Sequence, residues 1–192
     1  IRLLLSKREY HTLPMIRRAI PWDEDRLAKL AVQTFRQTYE RHSTRENMAL
    51  YLSTSFSPDK QLSEINDVNM ETWILEKGAD LVGFMQLRSK KCPISQGADS
   101  DYELWRIYVD ASHQGKGLGT QLLDQAVKSA ERKNSALIWL GVSEYNEKAI
   151  TFYERNGFEE IGEHIFMLGD DPQRDLVMTR KIAFCYQPQS LT

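Results

Sequence analysis

The chain has 192 residues, which is typical of one domain with a substantial core. Hydrophobic residues make up 41% of the chain and charged residues 27%, a normal soluble balance, and the formal net charge is −2. This charge excludes a bulk electrostatic affinity for nucleic acid or an anionic membrane. No apolar run approaches the ~20 residues that a membrane-spanning helix needs.

Two cysteines, Cys92 and Cys185, form no CxxC pair and lie far apart in the sequence. Free thiols are expected, and with them a reducing, cytoplasmic location. No spacing of His, Cys or Asp indicates a metal site, so no metal cofactor is expected. The oligomeric state stays open between a monomer and a homodimer.

The ends of the chain differ from its middle. The first residue is Ile1 rather than Met, and Met15 precedes a more regular sequence. Residues 1–14 are therefore predicted to be an extension or a cloning remnant. Residues 15–183 are predicted to form one domain, and residues 184–192 a C-terminal tail.

The first half of this domain predicts a strand, three helices and a hairpin. Residues 14–20 have the pattern of a strand, and Asp23 is expected to cap a helix that ends near residue 39. Thr44 is expected to cap a second helix over 45–53, and Pro58 to begin a third. Residues 72–76 and 80–87 predict a hairpin, followed by a polar loop over 89–101. The predicted core face of the first helix comprises Leu27, Leu30, Ala31, Thr34, Phe35 and Thr38.

The second half predicts a strand–helix–strand crossover followed by a meander. A strand ends at Val109, a helix spans 119–132, and a buried strand spans 136–142. This unit should be a parallel, right-handed crossover. Asn146 is expected to cap a helix that ends at Asn156-Gly157, and strands over 158–167 and 175–182 follow. The fold class is therefore α/β, with a mixed, mostly antiparallel sheet and helices on both faces.

A glycine-rich segment, Gln114-Gly115-Lys116-Gly117-Leu118-Gly119, joins the predicted strand to the helix of the crossover. Its glycines let several N–H groups point at one spot beside a helix N-terminus, which suits a pyrophosphate. The dinucleotide fingerprint GxGxxG and the NTPase motif GxxxxGK[ST] are both absent. The alternative is a glycine-rich turn without a ligand.

The motif Gln114-x-x-Gly117-x-Gly119 resembles the pyrophosphate loop of the GCN5-related N-acetyltransferases, which bind acetyl-coenzyme A. A second block, from Asn146 to Phe158, resembles the segment in which an Asn of that family caps a helix and a Tyr faces the thioester. The resemblance covers about residues 15–182. It implies an acetyl-CoA-dependent N-acetyltransferase whose parallel strand pair splays around the cofactor.

A narrower resemblance is to the PaiA-type spermidine/spermine acetyltransferases, and it implies a polyamine acceptor. Two departures are Ser143, where an aromatic residue is expected, and Trp105, where a Glu is expected. The first alters the pocket wall and the second removes a candidate base. The residues that carry this resemblance are Phe35, Thr38, Tyr39, 138–142, Glu144, Asn146, Gly162, His164, Phe166, Gly169, Asp170, Gln173, Asp175 and Leu176.

The expected cofactor contacts are mostly main-chain groups. N–H groups of the glycine segment hold the pyrophosphate, and the strand at 107–109 pairs with the amides of the pantetheine arm. The side chain of Lys116 either screens the phosphates or is simply solvated. The predicted cofactor residues are Ile107, Tyr108, Val109, Gln114, Gly115, Lys116, Gly117, Leu118, Gly119, Thr120, Asn146, Phe152 and Tyr153.

Two side chains are predicted to be catalytic. An amine acceptor arrives charged at neutral pH because its pKa is near ~10, so it must lose a proton before it attacks. The resemblance gives Glu103 as general base, on a strand face that it is expected to share with residues 105, 107 and 109. Tyr153 is the candidate acid for the coenzyme A thiolate, and a main-chain N–H near Val109 the oxyanion donor.

Each catalytic candidate has a structural alternative. Glu103 could be a solvent-exposed residue at a strand end, and Tyr153 a core aromatic residue. His164 either lines the amine site or packs in the last hairpin. Alternatives for the whole chain are acetylation of a protein N-terminus or another small amine, and a non-catalytic sensor that binds coenzyme A.

Overall fold

The computed structural model describes residues 13–94 and 101–182. Within them, seven strands form one sheet in the order β1-β2-β3-β4-β5-β7-β6, and five α-helices pack on it. The strands are β1 (Met15–Arg18), β2 (Met70–Lys77), β3 (Asp80–Ser89), β4 (Tyr102–Val109), β5 (Leu137–Ser143), β6 (Glu159–Leu168) and β7 (Asp171–Lys181). The helices are α1 (Glu24–Tyr39), α2 (Arg45–Ser55), α3 (Pro58–Asn66), α4 (Leu118–Arg132) and α5 (Glu147–Arg155).

The predicted mixed sheet is confirmed. Strands β4 and β5 are parallel and are connected through α4, whereas the other neighbouring strands are antiparallel. The parallel pair is short, because only Tyr102↔Ile138 and Glu103↔Trp139 are in register. Beyond these pairs the two strands diverge, so the β5-facing edge of β4 from Leu104 onward has no strand beside it.

Each face of the sheet has its own hydrophobic core. One core packs α4 and α5 on the sheet, with Leu122, Leu123 and Tyr153 at its centre. The other packs α1 and α2 around Phe35 and Phe84. The predicted core face of α1 is confirmed, since all its members except the half-buried Thr38 are buried. No helix among residues 13–94 and 101–182 is long and apolar enough to cross a membrane.

Most of the predicted helix ends are confirmed, including the start of α3 at Pro58, whereas the cap at Asp23 is wrong. Thr44 and Asn146 accept hydrogen bonds from main-chain N–H groups of α2 and α5, each at 3.2 Å, and Gly157 ends α5 with a φ of 79°. Asp23 does not cap α1. Its buried carboxylate accepts from the Arg17 guanidinium and from the Ile20 N–H, because a desolvated carboxylate is stabilised most by a cation.

A β-bulge overturns the predicted alternation along β4. Gln86 of β3 pairs with Arg106, but its neighbour Leu87 pairs with Leu104, so Trp105 is an extra residue on β4. Ile107 and Val109 therefore share a face with Leu104, under α4. The expectation that residues 103, 105, 107 and 109 share one face is wrong, because the bulge puts Glu103 on the opposite face.

The predictions for the two ends of the chain fall mostly outside the described residues. Residues 1–12 and 183–192, which include Cys185, are not described, and neither are residues 95–100 of the predicted loop. Cys92 is a buried free thiol.

Candidate active site

The divergence of β4 and β5 opens a cavity of about 930 Å³. Its walls come from the second half of β4, the glycine segment, the helix α5 and the last turn of α1. The sequence-predicted cofactor residues are brought together here, with the exception of Lys116. Those that line the cavity are Ile107, Tyr108, Val109, Gln114, Gly115, Gly117, Leu118, Gly119, Thr120, Asn146, Phe152 and Tyr153.

Two glycines of this segment are required for their backbone conformation and not because a side chain would lack space. Gly115 and Gly117 both have a φ of 74°, and a Cβ added to either would meet no atom within 4 Å. Only glycine adopts this left-handed conformation without strain. Helix α4 begins directly afterwards at Leu118, and the first N–H groups of a helix lack partners within it. The cavity therefore has an anion-binding end.

Two polar side chains of this segment have structural contacts. The Nε2 of Gln114 donates to the Val109 carbonyl at 2.9 Å, and its Oε1 accepts from the Lys148 ammonium, so the amide joins β4 to α5. The Lys116 ammonium donates to the Ser112 carbonyl at 2.9 Å, outside the cavity wall. Of the two predicted alternatives for Lys116, this placement favours the solvated loop lysine.

Tyr153 lies between the core and the cavity. Its ring contacts Phe152 and Phe158, with centroids 5.3 and 5.6 Å away, and its side chain also lines the cavity. Burial raises the pKa of the phenol far above its ordinary value, and the neighbouring Tyr39 adds to this effect. The phenol is therefore protonated at neutral pH, and its role as an acid stays a prediction.

A second tyrosine, Tyr39, was missed as a site residue. It ends α1 and lines the cavity together with Tyr108 and Asn146. Burial, together with the charge of Asp175, raises its pKa to about 12. In the sequence, only the pattern Phe35-x-x-Thr38-Tyr39 pointed to it. Tyr108 was expected to contribute main-chain atoms alone, but its ring also packs on Phe35 and Phe84.

The structure places Glu103 away from the cavity wall. Glu103 is only 5% exposed, and its carboxylate forms ion pairs with Arg88 and Lys90. Two cations thus occupy the position that an amine would take. The alternative of an exposed strand-end Glu does not hold either, because the side chain is buried. Its role as a base stays a prediction.

The polar side chains of Asp175 and His164 lie near Gly141 of the cavity wall, and they were not predicted to form a site together. Asp175 of β7 lies directly opposite His164 of β6 and Ser143 of β5 in the sheet. A Cβ added to Gly141 would lie 2.5 Å from His164 Nε2 and 3.4 Å from Asp175 Oδ2. The absence of a side chain at Gly141, which lines the cavity, allows both groups to approach it. For His164, this position favours the amine-site alternative.

Both groups are perturbed by burial. Desolvation raises the pKa of the Asp175 carboxyl to about 7, and within the described residues no ion pair includes this carboxylate. Desolvation also lowers the pKa of His164, against an opposing effect of Glu103. His164 Nε2 is buried without a hydrogen-bond partner among the described atoms. Perturbed groups beside a cleft are typical of functional sites.

Comparisons with known proteins identify the family of this chain. The model of the acetyltransferase (GNAT) family matches residues 26–158. An uncharacterized N-acetyltransferase of Lactobacillus delbrueckii subsp. lactis is 31% identical over 150 residues, covering 78% of this chain and 87% of that protein. The chain belongs to the GNAT family. It is an acetyl-CoA-dependent N-acetyltransferase, with acetyl-CoA as the cosubstrate of this GNAT enzyme.

A curated relative and a solved structure from Thermoplasma acidophilum are also similar. Its spermidine N(1)-acetyltransferase is 27% identical over 163 residues, covering 83% of this chain and 91% of that protein. The crystal structure of its PaiA N-acetyltransferase in complex with coenzyme A superposes with a TM-score of 0.74 at 23% identity, covering 88% and 99% of the two chains. This superposition supports the GNAT fold. In residues 13–94 and 101–182, no three His, Cys, Asp or Glu side chains are grouped as metal ligands.

Asp175 is predicted to make this enzyme less stable as the pH rises. Its folded-state pKa of about 7 exceeds the ordinary value of 3.8, so between these values the folded chain binds more protons than the unfolded chain. Its contribution is fully present below pH 3.8 and is lost as the pH rises through about 7. The loss is at most about 4 kcal/mol.

Urea unfolding of the wild type and of Asp175→Asn at about pH 5 and about pH 8 checks this prediction. The variant should gain stability relative to the wild type at the higher pH, because the amide cannot ionise. Comparing the two proteins at each pH removes the contributions of the paired carboxylates Asp23 and Glu76, which both share. An equal difference between the proteins at both pH values would contradict the prediction.

Proposed function

We propose that this GNAT enzyme acetylates a polyamine such as spermidine or spermine by direct attack in a ternary complex. The observation that carries the proposal is the buried carboxylate of Asp175, which has no ion pair within the described residues and adjoins Gly141 of the cavity wall. A desolvated negative charge attracts a cationic acceptor. The similarity to a spermidine N(1)-acetyltransferase supports the same acceptor class.

The cofactor is proposed to run along the free edge of β4. Its pyrophosphate is held by the N–H groups of the glycine segment and by the Thr120 hydroxyl, at the positive end of α4. The amides of the pantetheine arm pair with the main chain of Ile107–Val109, in the position that β5 leaves open. This path ends beside Tyr153 and Asn146, where the thioester would lie.

Acetyl transfer then needs no covalent enzyme intermediate. The neutral amine attacks the thioester carbon, and a main-chain N–H near Val109 stabilises the oxyanion. As the C–S bond breaks, the Tyr153 phenol protonates the thiolate. For the base that deprotonates the amine, Glu103 is one candidate, and it would have to act through water and past its ion pairs with Arg88 and Lys90.

A protein N-terminus is the second acceptor class. The [ribosomal protein bS18]-alanine N-acetyltransferase of Escherichia coli is 37% identical over 67 residues, which cover 35% of this chain. This similarity covers much less of the chain than the similarity to the spermidine N(1)-acetyltransferase. The polyamine is therefore preferred, and the peptide becomes an arm of the test.

An acceptor panel tests the proposal. Release of free thiol from acetyl-CoA should be followed with spermidine, spermine, a peptide with a free N-terminus, and no acceptor. We expect turnover with the polyamines at least about tenfold above the peptide in kcat/KM, and only background without an acceptor. A peptide preference would reassign the acceptor. Cofactor binding without turnover of any acceptor would favour the non-catalytic sensor.

Gly117→Ala should weaken coenzyme A binding about tenfold, because an L residue strains the left-handed conformation by about 1–2 kcal/mol. Calorimetry with coenzyme A measures this change. Gly78→Ala is a matched control, since Gly78 has a φ of 67° in the turn between β2 and β3, away from the cavity. The control should lose stability without losing affinity. Equal affinities of the two variants would exclude the proposed pyrophosphate site.

Tyr153→Phe should lower kcat about 100-fold and leave the affinity for coenzyme A unchanged, because it removes an acid but keeps the ring in the core. Phe158→Leu tests the alternative that this region matters only through packing, because Phe158 is buried against the Tyr153 ring and does not line the cavity; it should change stability more than kcat. Stopped-flow thiol release and calorimetry provide the two readouts. An unchanged kcat for Tyr153→Phe would remove the phenol from the mechanism.

A further inference from the structure

A base other than the one that the sequence predicted lies behind Gly141 of the cavity wall. We propose that Asp175, held against Gly141 beside His164, accepts the proton of the incoming ammonium group. The inference rests on the proposed acetylation of an amine. It concerns a residue of β7, whereas Glu103 belongs to β4.

The sheet register brings this group together from three strands. Asp175 pairs with Ser143 on one side and with His164 on the other, and residues directly opposite each other share a face. This is the face on which Phe166 and Leu168 of β6 pack against α1 and α2. Gly141 lies two residues before Ser143, on the same face, and exposes its Cα to the cavity. An amine at this point would meet His164 Nε2 and the Asp175 carboxylate.

The charges around Asp175 favour a base rather than a structural ion pair. His164 faces it from β6, and burial lowers the pKa of this imidazole, which keeps the ring neutral. Tyr39 faces it from α1, and the carboxylate raises the pKa of this phenol. Beyond His164 lie Glu103 of β4 and Lys90, whose opposing effects reach the imidazole. Neither Ser143 nor Gly141, the neighbours on β5, carries a charge.

Burial also brings the pKa of the Asp175 carboxyl close to neutral pH. Its pKa of about 7 lies between the ordinary carboxyl value and that of an amine, so the group is partly ionised at neutral pH and can take up a proton. Glu103 differs, because Arg88 and Lys90 already occupy its carboxylate. An incoming ammonium would give Asp175 the cation that its surroundings lack.

The proton balance is complete without a further reactant. The ammonium transfers one proton to the Asp175 carboxylate, which becomes a carboxylic acid, and the freed lone pair forms the C–N bond. When the tetrahedral intermediate collapses, the C–S electron pair leaves on sulfur, which takes the Tyr153 proton. The phenolate then takes up the second proton of the nitrogen and becomes a phenol again. Asp175 returns its proton to solvent after the acetylated amine leaves.

The test is the pH dependence of kcat/KM for spermidine in the wild type, Asp175→Asn and Asp170→Asn. Asp170 is an exposed residue of the β6–β7 turn and is the matched control. In the wild type and the control, the pH profile of kcat/KM should show a limb, which is a rise with pH through an apparent pKa near 7. Asp175→Asn should lose this limb and about 100-fold in rate near neutrality, and its rate should rise toward the pKa of the amine, because only an already neutral amine can react.

Calorimetry with coenzyme A verifies that Asp175→Asn retains the cofactor site. If the variant does not fold, carbon-13 NMR of the labelled wild type replaces it: the Asp175 carboxyl should titrate near neutral pH, and spermidine should shift that titration. The proposal is overturned if Asp175→Asn keeps the limb, if Glu103→Gln alone removes it, or if spermidine leaves the carboxyl titration unchanged. Absence of polyamine turnover in the wild type would instead refute the proposed function.

Discussion

The short pairing of β4 with β5 is the constraint on which the site depends. Two residue pairs hold the parallel strands together, and from Leu104 onward their main chains face a gap. An unpaired strand edge inside a sheet is unfavourable unless another group satisfies it. The gap also separates the helices of the two faces, so that α1 and α5 both reach the cavity. One interruption of a regular sheet therefore supplies both the volume of the site and its hydrogen-bonding groups.

The bulge at Trp105 changes which side chains of β4 lie on each face of the sheet beside this gap. Without it, Glu103 would share a face with Ile107, as the alternation of a regular strand requires. With it, Arg106 is buried beneath the helices of the other face, where it pairs with Glu64 at 2.7 Å. The Trp105 indole contacts the guanidinium groups of both Arg88 and Arg106. These cation–π contacts and the buried ion pair stabilise the bulge, and they hold Arg88 where it binds Glu103.

The sequence could predict those features that depend on interactions between residues close together in the chain. The caps at Thr44 and Asn146, the glycine segment and the end of α5 are local, because each depends on residues within about one turn. The parallel pair followed from the strand–helix–strand order. The bulge could not be predicted in this way, because it is defined by the register with β3. Asp175, His164 and Gly141 belong to three strands, and no spacing along the chain indicates that they meet. Asp23 was misassigned for a similar reason, since its partner Arg17 comes from another element.

The same argument explains why the acceptor side is less stable than it could be. An Asn or an apolar residue at position 175 would avoid the desolvation that raises the carboxyl pKa, and an Arg nearby would lower that pKa by forming an ion pair. Either change would stabilise the folded chain and remove a group able to exchange a proton at neutral pH. The Glu103–Arg88 pair is the contrasting case, because there the charge is matched within the protein. Of Glu103 and Asp175, the carboxylate left unmatched is the one whose missing partner a cationic substrate can supply.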